Sequence, residues 1–487
     1  MPKKHTPPPL PTQPPIKEKE TLGLSPAVLG KRDFVKKEYW CPVPPSIDFD
    51  PYSDPFNPKA VDYNKVVKAD EMIKEIFQST PLLKSKCCDK FGMDLYFKIE
   101  TGSKTGSFHE RSALYALLML TPEERRGGVY TASVGNWAMA LAYQGQLLHV
   151  HVTVVLPAHT QLSVISHCQE YGATVVLHGK TIFEARKRAF KLIHDQGHHG
   201  IYIDGYDHPN VIAAAGSIGV EILDQLPDTE AILVPIGGGG LIAGIAAYVK
   251  HIKPNVLIYG IEPGKSCGFA KAIHNERPYK IEAEMGLAAS LTIPKVGDNA
   301  FHTAKSLIDK MVLIHDDFTA RAIVHLIEME KIIAEGAGAI SLGALMCMPD
   351  ILTELQGKKV VTIVSGGNID LWPLKRAMIQ GKAVEHRVVP LNLIITPRNT
   401  DLPSKAFKVF EQMDCNMLHC EYSGNHDWFE EGKLMQHSLT VIVETKGHKH
   451  ACLLRHVMEK LFPGECEFDS EVFKPIVICS CFPKLIY

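Results

Sequence analysis

The chain contains no uninterrupted apolar run approaching the ~18 residues a helix needs to cross a bilayer, and its opening, MPKKHTPPPLP, lacks the apolar core of a signal peptide. Nor is there an excess of one charge, since 52 lysines and arginines stand against 54 aspartates and glutamates for a net charge of −2. That balance gives no electrostatic reason to bind nucleic acid or an anionic membrane. Among the 12 cysteines there is no C-x-x-C pair. Cys87-Cys88 and Cys479-Ser480-Cys481 have neither zinc-site nor thioredoxin spacing, so buried structural thiols in a reduced, cytoplasmic compartment are expected. Tandem repeats are also lacking.

What is present is a composition of 45% hydrophobic and 22% charged residues over 487 positions, enough for sizeable buried cores. Residues 1–60 are rich in proline and lysine and read as a largely disordered, extended segment. Its PPLP could dock a groove that takes polyproline helices, and Phe34, Tyr39, Trp40 and Phe56 offer aromatic surface to a folded body. A helix is predicted over residues 65–77 from apolar residues at helical spacing. From there, strands alternate with helices over about 300 residues, which argues for parallel sheets wound by helices. His149 and His151 share one face of a strand predicted over residues 149–157, either as metal ligands or as a solvated or packed pair.

Four glycine-bearing stretches each separate an apolar run from a helical pattern. TGSFHERSA (105–113) joins a strand at 94–99 to a helix predicted to begin near Arg111; SVGNWA (133–138), GGGGLIAG (237–244) and SGGNID (365–370) follow. Without Cβ atoms, Gly237, Gly238, Gly239 and Gly240 can bring backbone amides around a phosphate, with a helix starting near Leu241 pointing its positive end at the anion. A tight strand-to-helix turn without a ligand is the other reading.

In that order the four stretches resemble the pyridoxal-phosphate enzymes of the threonine dehydratase and serine racemase family, which have the tryptophan-synthase-like fold. The likeness runs from about residue 80, where STPLLKS is similar to the family's T-P-L segment, to residue 372. It implies an α/β architecture of fold type II, two lobes with parallel sheets wound by helices, over residues 61–382, the smaller lobe at about 110–210. It implies that the tetraglycine and Leu241 hold the cofactor phosphate, Phe108 packs beside its ring, Asn136 bonds its phenolic oxygen and Ser365 faces the pyridine nitrogen. Ser133, Gly135 and Asn136 would meet the substrate.

The family's first stretch reads T-G-S-F-K, and its lysine carries the cofactor as an imine. Here that position is His109, whose imidazole has no primary amine to condense with an aldehyde. Lys104, five residues upstream, reads as solvent-facing. Trp137 replaces the histidine of the family's S-x-G-N-H turn, and A-D-G-L-A appears as residues 284–288, EMGLA. Glu262 matches a glutamate that ligates a divalent ion in relatives, but Gly268 stands where the second carboxylate would be, so no metal is expected. EGAGA (335–339) reads as a helix-packing motif.

Residues 385–487 follow a βαββαβ order, that of a ferredoxin-like α+β unit, with its last strand predicted over residues 472–481. The unit resembles an ACT domain, although the D-x-P-G turn of amino-acid-binding members appears as Asp401-Leu402-Pro403-Ser404, with Ser404 as a helix cap. The resemblance implies a threonine/serine dehydratase-like protein that has lost its lysine chemistry. Pyridoxal 5'-phosphate would be held without covalent attachment, an amino acid is a possible ligand, and a homo-oligomer, dimer or tetramer, is expected. The alternatives are a working L-threonine/L-serine ammonia-lyase using another amine, and a scaffold assembling through the ACT-like unit and the Pro-rich tail.

Overall fold

The structure is a computed structural model and describes residues 49–197, 199–347, 353–423, 437–468 and 481–482. Its strands, in chain order, are β1 (Leu82–Lys84), β2 (Asp94–Ile99), β3 (Val129–Ala132), β4 (Val152–Leu156), β5 (Thr174–Leu177), β6 (Ile201–Tyr202), β7 (Ala231–Pro235), β8 (Leu257–Pro263), β9 (Lys310–Ile314), β10 (Lys359–Val364), β11 (Val388–Ile395), β12 (Asn416–Ser423), β13 (His437–Glu444), β14 (Cys466–Phe468) and β15 (Cys481–Phe482).

Seven strands form one sheet in the order β1-β2-β10-β7-β8-β9-β15, parallel through its centre, with β1 and β15 antiparallel at the two edges. β7 is buried at all five positions and β10 at all but its first. Strands of this kind read as continuous apolar runs because helices cover both faces of the sheet. One apolar core fills each side, around Ile232 and Ile242 on one and Leu233 and Ile340 on the other. A second, wholly parallel sheet, β5-β4-β3-β6, makes the smaller lobe. The two-lobed α/β arrangement expected from the sequence is therefore the one observed.

The functional consequence lies in where the strands end. Each of the four glycine-bearing stretches follows the carboxyl end of a parallel strand: residues 105–109 after β2, 133–136 after β3, 237–240 after β7 and 365–370 after β10. Ligand crevices in sheets of this type form at those ends.

The carboxy-terminal sheet is antiparallel with order β12-β13-β11-β14, and helices Leu402–Gln412 and His448–Leu461 connect its strands. This is the ferredoxin-like α+β order, with a core of its own around Leu391, Leu402, Val441 and Leu454. Among the described residues Cys466–Phe468 pairs with β11 as the fourth strand, and Cys481–Phe482 pairs with β9 of the large sheet; of the strand predicted over residues 472–481, residues 472–480 lie outside the described residues.

Other boundaries also differ from expectation. The first helix is α1 (Tyr63–Ile73), capped by Asp62, whose side chain accepts from the Lys65 amide, so it starts and stops earlier than residues 65–77. His149 has φ 54° in the turn that closes the preceding helix, where the Val150 amide donates to the Gly145 carbonyl at 2.8 Å. The strand starts only at Val152, so the histidine pair does not share a strand face. Residues 49–60 lie against the body rather than free of it: the Lys59 amide donates to Asn299 at 2.5 Å and Asn299 donates to the Tyr52 carbonyl at 2.6 Å. Of the aromatics proposed to dock, Phe34, Tyr39 and Trp40 lie outside the described residues and Phe56 is 80% exposed. Tyr52 docks instead, 4.6 Å from the His208 ring. Ser404 does not cap its helix, because its hydroxyl donates to the Asp401 carbonyl.

Candidate cofactor cleft

The β3 end and the β2, β7 and β10 ends face one cleft of about 890 Å³. Phe108 and His109, Ser133, Gly135 and Asn136, Gly237 to Leu241, and Ser365 all line it, so residues up to 257 positions apart in Phe108–Ser365 separation meet on one wall system. No lysine is found among the described residues that line this cleft; its basic side chains are Arg186, Arg376 and histidines.

His109 is the first residue of α2 (His109–Leu118), two residues before the predicted start. Its ring lies 4.0 Å from that of Phe108 and edge-on to Trp137 at 5.7 Å, with Nδ1 buried and lacking a hydrogen-bond partner. Burial pushes the imidazole pKa down to about 3, so it is neutral across the physiological range and a poor base. Trp137, 4% exposed, donates from Nε1 to Thr131 Oγ1 at 2.8 Å. Its indole sits against Gly205, where a Cβ would come within 2.6 Å of the ring. Trp137 thus fills space beside His109.

At the opposite end, Gly239 has φ 98° and precedes α3 (Gly240–Ile252). A Cβ on Gly238 would fall 2.1 Å from the Tyr206 ring, so only glycine allows the turn to lie flush on that tyrosine. The Gly238 and Gly239 carbonyls accept from the amides of Gly297 and Ala243. The amides of the first helical turn, by contrast, have no carbonyl to reach within their own helix. Donors of this kind at the positive end of a 13-residue helix are suited to an anion.

Between these ends lies a polar floor. Asn136 Nδ2 donates to Glu335 at 2.5 Å, Ser290 donates to the other Glu335 oxygen at 2.9 Å, and Asn368 Nδ2 donates to Asn136 Oδ1 at 2.8 Å and to the Thr105 carbonyl at 2.7 Å. Burial pushes the Glu335 carboxyl up, while the Ser290 and Asn136 bonds oppose it. The packing role expected for EGAGA holds for Gly338, whose Cβ would meet the Gly366 carbonyl at 2.3 Å, but Glu335 itself faces the cleft. Glu335, Asn368 and Tyr206 are site residues that sequence reasoning passed over. Only Asn368 had a signal, lying inside one of the four glycine stretches. Ser365 is buried, with its hydroxyl 3.3 Å from the Ala337 carbonyl, and its own carbonyl accepts from the Phe108 amide at 3.0 Å.

Glu262 lies away from this floor. Its carboxylate accepts from the Phe269 and Ala270 amides at 2.7 and 2.9 Å, so both oxygens are engaged by the start of the next helix.

A phosphorylated planar ring fits this cleft in two respects, the anion site at the glycine turn and the aromatic wall of Phe108. Among the described residues that line the cleft there is no primary amine to tether it.

A family model for pyridoxal-phosphate dependent enzymes matches residues 73–366. The L-threonine ammonia-lyase of Thermotoga maritima is 33% identical over 334 residues, covering 68% of this chain and 82% of that protein. That of Geobacter sulfurreducens is 35% identical over 332 residues, covering 68% and 81%. Among solved structures, the processed form of threonine deaminase isoform 2 from Solanum lycopersicum superposes with a TM-score of 0.61 at 32% identity, covering 66% of this chain and 90% of that one. Maize serine racemase gives 0.61 at 28% identity, covering 66% and 99%.

Proposed function

This chain belongs to the pyridoxal-phosphate dependent enzyme family, and on that premise we propose that it is a threonine/serine dehydratase-like protein that binds pyridoxal phosphate without covalent attachment and does not carry out the ammonia-lyase reaction. The reading rests on His109, which stands where the resemblance of the sequence puts the family's lysine, and is supported by a cleft whose described lining contains no lysine. When bound, the cofactor supplies an electron sink for bond breaking at an amino acid's α-carbon. The residues here are suited to holding it, not to working it.

In this reading the amides at Gly238 to Leu241 take the phosphate, Phe108 covers one ring face, and the Asn136 amide, set by Glu335 and Asn368, meets the phenolic oxygen. Ser365 offers a neutral hydroxyl to the ring nitrogen. Ser133 and Gly135 border the space for an amino acid, which Trp137 narrows. His109 neither captures an aldehyde nor takes up a second ring proton at neutral pH, because its burial favours the uncharged ring.

The domain scheme is residues 61–382 for the cofactor-binding body and 385–487 for an ACT-like unit. Pairing of copies through the latter is supported by edge strand β12, where Met417, Leu418 and Tyr422 are about half exposed or more. A cytoplasmic homo-oligomer is the matching assembly.

The test is a melting titration of the purified protein with pyridoxal phosphate and with inorganic phosphate, alongside borohydride reduction and mass analysis. Protection by the cofactor without a pyridoxyl-lysine, and no ammonia from threonine or serine, is the expected result. A pyridoxyl group trapped on any lysine together with ammonia release would overturn it.

Gly238→Ala is expected to weaken cofactor protection by about tenfold or more, since the new methyl drives the turn off Tyr206 and moves the amides. Adding Tyr206→Ala should recover part of the loss. Equal protection in Gly238→Ala and wild type would remove the glycine turn from the binding site.

A further inference from the structure

The helix Asp316–His325 runs into a π-helical turn, Leu326–Glu330, closed by Lys331 at φ 65°. A turn closed by i→i+5 bonds brings residues five apart onto one face, and such turns cluster at functional sites. Here it stacks His325 and Glu330, with Nε2 and Oε1 3.7 Å apart and the two residues only 4% and 7% exposed. Cys87, from the loop between β1 and β2, completes a group whose sulfur, imidazole nitrogen and carboxylate oxygen all lie within 4.8 Å of one another.

The surroundings orient these donors. His325 Nε2 is buried and has no hydrogen-bond partner, and the Phe91 ring packs edge-on against the imidazole at 5.6 Å. Glu330 is aimed by Ser85, whose hydroxyl donates to Oε1 at 2.7 Å, and by the Lys86 amide, which donates to Oε2 at 3.1 Å. Each oxygen retains a lone pair. The neighbouring Cys88 thiol points elsewhere, to the Ser85 and Leu95 carbonyls at 3.3 and 3.7 Å. Of the nearby cations, Arg321 is engaged by Glu385 at 3.3 Å, Lys86 donates from Nζ to the Glu330 backbone carbonyl at 3.3 Å, and Lys90 is a further positive charge that acts on the imidazole.

We propose that Cys87 Sγ, His325 Nε2 and Glu330 form a binding site for a borderline-soft divalent cation, zinc by preference, with a fourth position for water. Sulfur, nitrogen and oxygen donors together suit zinc and disfavour magnesium or calcium, which take oxygen sets. Bonds of about 2.0–2.3 Å place tetrahedral ligand atoms roughly 3.3–3.8 Å apart, so the 3.7 Å His325–Glu330 pair already fits and Cys87 closes in by about an ångström. Binding releases the thiol proton to solvent, and the thiolate and carboxylate together balance the dication. The site is independent of pyridoxal phosphate, and its failure would leave the cofactor reading untouched.

The full chain, reduced and stripped with a chelator, is titrated with cobalt(II) and then with zinc. A thiolate-to-cobalt charge-transfer band saturating near one equivalent, displaced by zinc, is expected, with the melting midpoint rising in zinc. Cys87→Ser, at a half-buried position, should abolish the band and weaken zinc binding on the order of 100-fold. Cys452→Ser removes the exposed thiol 3.6 Å from His448, another cysteine–histidine pair, and should leave both signals unchanged. X-ray absorption of the zinc form of the wild type should give one sulfur with nitrogen or oxygen neighbours. No band, a band that survives Cys87→Ser or vanishes with Cys452→Ser, or a shell of two or more sulfurs would overturn the site.

Discussion

Replacing His109 with lysine is expected to take the yield of pyridoxyl-lysine after borohydride reduction from none to about one per chain, because it places a primary amine in the proposed cofactor cleft. Several observations make the effect large. The position opens α2 between Phe108 and Trp137, so a lysine there projects into the cleft and not into solvent. Burial lowers a lysine's pKa, as it lowers that of His109, and an uncharged amine is the form that condenses with an aldehyde. The phosphate turn and the Asn136 floor lie on other elements and are unaffected. Mass analysis of the reduced protein reads the result directly. Ammonia release should remain absent in the single variant, since Trp137 still occupies the space beside the new amine. If His109→Lys takes up cofactor no better than the wild type and forms no bond to it, the cleft is not a cofactor site.

The second large effect is on stability. Arg111, in the first turn of α2, is fully buried and bonds Glu100 through Nη2 at 2.9 Å and Nε at 3.1 Å, and Glu221 through Nη1 at 2.6 Å. Lys98, also fully buried, lies 2.5 Å from Glu221 and donates to the Thr80 carbonyl at 2.7 Å. The two cations and two anions balance, and they join β2, α2 and the 79–85 segment to helix Ser217–Gln225. Removing one member leaves a buried charge without its partner, which costs about 3–5 kcal/mol. Arg111→Met should therefore lower the unfolding free energy by that amount, and Arg111→Lys should not restore it, because an ammonium cannot bond Glu100 and Glu221 as the planar guanidinium does. A loss below about 1 kcal/mol by denaturant titration would mean that the network contributes no more than an exposed pair.

The same network sets an acid limit. Burial would raise the Glu221 carboxyl, but Arg111 and Lys98 outweigh it and hold the pKa at about 2, below its ordinary 4.5. With the folded value below the unfolded one, its contribution is complete above about pH 4.5 and is lost as pH falls through about 2. Melting midpoints measured down that range should fall for the wild type and fall less for Glu221→Gln.

Local signals in the sequence carried most of the architecture. Strand and helix alternation, the apolar runs of β7 and β10, and a glycine turn after each of four strands are properties of short segments, since backbone period and Cβ-free turns depend on near neighbours. The absence of a primary amine at residue 109 is likewise written in one position, and no packing can supply it. Glu335 was different: adjacent to helix-packing glycines, it had no local mark of facing a cleft, and only the meeting of Asn136, Ser290 and Asn368 gives it a role.

His325 and Glu330 would stand well apart around an α-helix, and only the π-turn aligns them with Cys87 from a distant loop. The short strand Cys466–Phe468 shows the same division, since its pairing with β11 had no signal of its own in the sequence. The sequence by itself determined the elements and the missing amine. Tertiary structure alone decided which side chains from remote segments share a site, because that depends on how buried surfaces close on one another and leaves no period or spacing in the chain.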